Sequence, residues 1–187
     1  MPEDAFDILG LEPGFDLDPA RIERAFLTRA AQTHPDLVGD DDRAAALAAR
    51  LTDARRQLDN LETRANLLLA RLDGPGKDQD KSLPSGFLVE IMDLRERVES
   101  ALASGDPDAR RRELDAALAQ RQDYHHRIRD LFILATPNRG GDAPLLRQIR
   151  TQLNAWRYIE RLIEQLDSEY PADNPERGRL GPDSEQG

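Results

Sequence analysis

The chain has 187 residues and a mass of 21.0 kDa, with 39% hydrophobic and 5% aromatic residues, which allows one medium domain or two small ones with a Leu- and Ala-rich core. With 36 acidic against 26 basic residues it carries a formal net charge of −10, which disfavours nonspecific binding to nucleic acid or an anionic membrane and points to protein partners. Zero cysteines exclude disulfides, thiolate metal sites and cysteine nucleophiles, no apolar run approaches the ~18 residues of a membrane span, and the opening MPEDAFDILG has no basic leader, so a cytoplasmic protein is expected.

The first segment reads as four helices. A short one over Asp4–Leu11 points Phe6, Leu9 and Ile8 inward and stops at Glu12–Pro13–Gly14. Asp18 caps the next, about Pro19 to Thr33, with Pro19 in the first turn, where a missing amide proton costs nothing. On a helical wheel Ile22, Phe26 and Ala30 share one face, and Arg21, Arg24, Thr28 and Gln32 lie opposite. Pro35 ends this helix at or before His34. A third helix, about Asp41 to Leu61, carries Ala44, Leu47, Leu51, Ala54, Leu58 and Leu61 on one face and is expected to pack antiparallel on the second. A fourth piece follows from about Glu62 to Leu72, with no Gly or Pro to mark the join.

The polar stretch GPGKDQDKS, 74–82, is the natural linker between a domain at 1–73 and a second at 83–170. The second domain reads as three long helices, about Ser85 to Ala103, Asp108 to Leu134 and Pro144 to Tyr170. Leu114, Leu118, Ile128, Leu131 and Phe132 line the middle one; Leu145, Ile149, Leu153, Trp156, Ile159, Ile163 and Leu166 line the last. Short turns between long helices imply an antiparallel three-helix bundle. The tail 171–187 has the composition of a disordered segment, and no stretch alternates as a strand would. The expected fold class is therefore all-α.

The polar residues point away from catalysis. There is no Gly-rich phosphate loop, nucleophile elbow or Cys–His arrangement. His125 and His126 diverge by about 100° on a helix, cannot chelate one ion together, and read as partly exposed helix residues. The carboxylates sit beside arginines, as in Asp93–Arg97 and Asp108–Arg112, and read as a solvated, salt-bridged surface. No metal or cofactor site and no enzymatic activity are expected.

What stands out is His34–Pro35–Asp36 between two amphipathic helices. At the tip of a helical hairpin these residues form a rigid polar projection suited to docking on a partner. By itself the tripeptide is a weak match, since Pro35 also serves as a helix stop and Asp36 as a turn residue. An arginine-bearing helix before it, an Ala/Leu helix after it and a short apolar helix before both make the combination rarer.

With DAFDILGL and QTHPD, the N-terminal 72 residues resemble a J domain, the co-chaperone module that stimulates ATP hydrolysis by Hsp70-type chaperones. The resemblance implies that His34, Pro35 and Asp36 activate the Hsp70, and that Arg21, Arg24 and Arg29, with Gln32 nearby, form the basic docking surface. Thr33 stands where the family commonly has an aromatic, and Leu37 where it has Lys or Arg. The segments Arg64–Ala65–Asn66–Leu67–Leu68–Leu69 and Leu83–Pro84-x-x-Phe87–Leu88–Val89–Glu90-x-Met92-x-Leu94–Arg95–Glu96 resemble HscB-type co-chaperones of iron–sulfur cluster assembly. That implies a C-terminal bundle that binds the scaffold protein IscU through Leu88, Val89, Met92, Asp93 and Glu96, with Tyr158 in the position of an aromatic contact. The partners so implied are an HscA- or DnaK-like Hsp70 and IscU, and any cluster belongs to the partner. Leu88 and Met92 have a competing reading as core residues, because Phe87, Ile91, Leu94 and Val98 offer a second apolar stripe on the same helix. An adaptor for a different client, and a structural helical protein with an accidental His–Pro–Asp, are the alternatives.

Overall fold

A computed structural model describes residues 3–33, 41–135 and 142–167. Among these residues there are seven helices and no strand: α1 (Ala5–Leu9), α2 (Pro19–Gln32), α3 (Asp41–Asp59), α4 (Leu61–Arg71), α5 (Phe87–Ser104), α6 (Pro107–Ala135) and α7 (Ala143–Leu166). They divide into two compact units whose boundary falls between Leu68 and Leu69. The His34–Pro35–Asp36 tripeptide and the tail 171–187 lie outside the described residues.

In the first unit, local chemistry sets the helix ends. Asp4 Oδ1 accepts from the amides of Phe6 (2.9 Å) and Asp7 (3.3 Å), and Asp7 Oδ2 accepts from the Asp4 amide, a reciprocal cap on α1. Gly10 closes that helix at φ +68°, a left-handed conformation that a side chain would strain. Asp18 Oδ1 accepts from the Ala20 amide at 2.9 Å and opens α2 with Pro19 behind it.

Phe6, Leu9, Leu11, Leu17, Ile22, Leu51, Ala54 and Leu58 form one core, with Phe26 and Ala30 packed at its edge. Burying a side chain such as Phe6 or Leu58 contributes about 2–3 kcal/mol. Arg55 of α3 pairs with Glu23 near the start of α2 and lies over the Phe26 ring at 5.0 Å. At the other end of α2, Gln32 and Thr33 share a depression with Leu47 and Leu51 of early α3. The two helices are therefore antiparallel.

The break between α3 and α4 is made by Asn60, whose Oδ1 accepts from the Thr63 amide (2.9 Å) and hydroxyl (3.0 Å). On α4, Arg64 is buried and donates from Nη1 to the carbonyls of Phe15 (3.0 Å) and Leu17 (3.1 Å), pinning the connection between α1 and α2. Burial pushes the Arg64 guanidinium down to about 10, with Asp59 and Asp16 opposing.

The second unit is a bundle of α5, α6 and α7. Phe87, Ile91, Leu94, Val98 and Ala101 point inward from α5 and meet Ile128 and Phe132 of α6 and Ile149, Leu153, Trp156, Ile159 and Ile163 of α7. Gly105, at φ +65°, ends α5, and Asp106 Oδ1 caps α6 through the Asp108 amide at 2.9 Å. Arg110 at the start of α6 donates to the carbonyl of Leu166 at the end of α7, so these two are antiparallel.

The middle helix departs from expectation. Its inward line runs through Ala117, Arg121, Tyr124, His125, Ile128 and Phe132, and Leu114, Leu118 and Leu131 are only half-buried. His125 is buried, not partly exposed, because its ring packs edge-on against Trp156 at 4.9 Å; His126, one position on, is exposed. Arg97 pairs with Glu113 of α6 and Arg112 with Asp106, in place of the Asp93 and Asp108 neighbours expected from spacing. The segment 74–82 is fastened to α7: Arg150 Nε donates to the Pro75 carbonyl (3.0 Å), and Asn154 Nδ2 to those of Asp80 (3.0 Å) and Ser82 (2.9 Å).

Candidate functional site

Each unit carries one candidate docking surface. On the first, the residues of α2 opposite its buried face stand in solvent: Arg21, Arg24 and Thr28 are exposed, as are Arg29 and Gln32 farther along the helix. Arg24 makes a long ion pair with the Asp18 cap at 3.7 Å, weak enough in water to be exchanged for a partner's carboxylate. Arg29 is directed differently. Its guanidinium lies against Gly10, where a Cβ would come 2.5 Å from Nη2, so Arg29 covers the end of α1 and stands apart from the Arg21–Arg24 pair. Leu27, between these arginines, is also exposed and was not singled out from the sequence. His34, Pro35 and Asp36 lie outside the described residues.

On the second unit, α5 presents two stripes. The inner stripe is Phe87, Ile91, Leu94 and Val98, all buried. The outer one is Leu88, Val89 and Met92, exposed by 60%, 66% and 69%. Three large apolar side chains exposed within two turns of one helix form a patch, which is a more informative observation than a scattered surface leucine. Asp93 and Glu96 are exposed at its border and line a groove shared with Glu113 of α6.

Tyr158 of α7 is brought to the start of α5 by Phe87. The two rings meet edge-on at 5.7 Å and 66°, and Phe87 meets Tyr124 of α6 in the same way at 6.2 Å and 88°. Phe87 thus joins all three helices at one end of the bundle. Burial raises the Tyr124 phenol above its ordinary value, with the Arg127 guanidinium over its ring opposing. Tyr158 keeps 41% of its surface in solvent, with the Arg161 guanidinium 6.0 Å from its ring. Arg157, Arg161, Lys77 and Lys81, which no motif or spacing marks out, line a depression together with Tyr158. Among the described residues, no group of three or more His, Cys, Asp or Glu is placed to hold a metal ion, and no helix is long and apolar enough to cross a membrane.

The chain has clear relatives. Residues 83–167 match the family model described as the HSCB C-terminal oligomerisation domain. Over 179 residues, 91% of this chain and 98% of the relative, the sequence is 30% identical to a co-chaperone protein HscB homolog of Bordetella petrii. It is 29% identical over 175 residues to one from Burkholderia vietnamiensis, covering 90% of this chain and 95% of that protein. The fold is similar to that of chaperone HscB from Vibrio cholerae, with a TM-score of 0.68 at 24% identity over 87% of this chain and 94% of that one. It is also similar to human co-chaperone protein HscB, with a TM-score of 0.70 at 18% identity over 90% and 82% of the two chains.

Proposed function

This chain belongs to the HscB family of co-chaperones, and on that premise we propose that it stimulates an Hsp70-type ATPase and presents to it an IscU-type iron–sulfur scaffold protein. It is a non-catalytic co-chaperone, so its work is to bind. The first unit docks the ATPase through Arg21 and Arg24, with His34, Pro35 and Asp36 triggering hydrolysis. Cationic side chains on an acidic chain steer toward an acidic patch on the chaperone. The second unit holds the scaffold on Leu88, Val89 and Met92, rimmed by Asp93 and Glu96, with Tyr158 beside them.

The observation that carries this reading is the exposed apolar patch on α5, whose inner stripe is fully used by the bundle core. An apolar cluster with a charged rim is the anatomy of a protein-binding hot spot. Holding client and ATPase on one chain raises the effective concentration of each for the other. The test is a single-turnover ATPase assay with scaffold present or absent, where synergy between scaffold and co-chaperone is the expected result.

The oligomerisation named in the matched domain favours a second reading, a further copy of this chain on the same apolar face. Sedimentation of the chain alone distinguishes the two, since that reading requires a dimer that L88A/M92A dissolves.

A further inference from the structure

The chain has two lysines, Lys77 and Lys81, and both stand on the segment 74–82. The fold sets them across a groove of about 320 Å³ from Arg157 and Arg161 of α7, with Tyr158 in its wall and Asp78 contributing a carboxylate. In a chain with a net charge of −10, four cations converge here. Arg95 pairs with Glu99 and Arg111 with Asp115, whereas Lys77, Lys81 and Arg161 make no ion pair among the described residues. Arg147 and Arg150 add to the positive field, helping the Ser82 hydroxyl and amide hold the nearby Asp80 carboxyl below its usual range.

The groove is pre-organised. Asn154 donates to the carbonyls of Asp80 and Ser82, Arg150 donates to that of Pro75, and Gln79 Oε1 accepts from the Gly76 amide at 2.8 Å. The two lysines are therefore presented from a pinned turn, and their backbone loses little further freedom on binding.

We infer that this groove takes an acidic, extended segment of the same scaffold partner that docks on Leu88, Val89, Met92 and Tyr158. The inference rests on that docking reading, because Tyr158 belongs both to the groove and to the apolar surface. The groove is an open trough, which fits a peptide strand carrying several carboxylates, and its charge is complementary to such a strand. Apolar contacts on α5 hold the partner, and the groove fixes its register and speeds encounter.

The test uses the full chain and two probes: the scaffold protein of the same organism, and a fluorescein-labelled alternating Glu–Gly peptide. K77Q/K81Q, two changes at exposed positions, should weaken both by about tenfold and flatten the dependence of affinity on salt. K77R/K81R should keep both, and L88A/M92A should keep the peptide while losing the scaffold. Equal peptide binding by wild type and K77Q/K81Q would overturn the groove. Competition by inorganic phosphate at constant ionic strength would assign it to a small anion and overturn the peptide. If the peptide discriminates but the scaffold binds K77Q/K81Q as it binds wild type, the acidic segment is not the scaffold's. If the peptide behaves as expected but the wild type does not bind the scaffold, the docking reading fails and takes the named occupant with it, while the acidic chemistry of the groove stands.

Discussion

Phe87 and Tyr158 stand edge to face 5.7 Å apart, one buried at the start of α5 and the other in solvent on α7. The core residue thus positions the surface one. Phe87→Ala removes a fully buried ring and should cost about 3–5 kcal/mol of stability. It should also weaken scaffold binding under conditions where the variant is still folded. Tyr158→Ala should lower scaffold affinity with a stability change below about 1 kcal/mol. Denaturant unfolding and calorimetric titration separate the two effects; equal stability losses would contradict the assignment.

Leu88 and Met92 are exposed, so truncating them leaves the bundle core untouched. L88A/M92A should unfold within about 0.5 kcal/mol of wild type. Its affinity for the scaffold should fall by about 2 kcal/mol or more, as for the centre of a hot spot. A large stability loss with intact binding would mean that these side chains serve the fold.

Arg64 holds the α1–α2 connection through the carbonyls of Phe15 and Leu17. Arg64→Met should cost about 3 kcal/mol, because both carbonyls lose a charged donor. The guanidinium, lowered to about 10 by burial, is protonated in both folded and unfolded states well below that value. Above about 10 the unfolded chain retains the proton longer, so this group makes stability rise with pH only there. The difference between wild type and R64M should therefore be flat from about pH 5 to 8. A slope in that window would show that another group titrates with Arg64.

The start of α2 was legible in the sequence: Asp18 caps it, with Pro19 in the first turn. The join of α3 and α4 was not, since Asn60 marks it with a side-chain cap in place of Gly or Pro. On α5, periodicity showed two apolar stripes but not which one the bundle buries; that depends on where α6 and α7 lie. The same dependence hid His125, which is polar by type and buried by its contact with Trp156. Lys77 and Lys81 read as ordinary linker residues until Arg150 and Asn154 are seen to fasten their segment beside Arg157 and Arg161. Local caps are written in neighbouring residues, whereas burial and grooves depend on tertiary neighbours.

On the proposed reading, one chain couples an Hsp70-type ATPase to a bound scaffold. The most direct measurement is single-turnover ATP hydrolysis by the organism's Hsp70 with this chain, the scaffold, both or neither, repeated with H34Q and with R21A/R24A. Stimulation by the chain should be amplified by scaffold, abolished in H34Q and reduced in R21A/R24A, the last loss being largest at low salt and shrinking as salt screens the steering by those cations. Stimulation that ignores the scaffold, or that survives H34Q in a folded protein, would contradict the coupling.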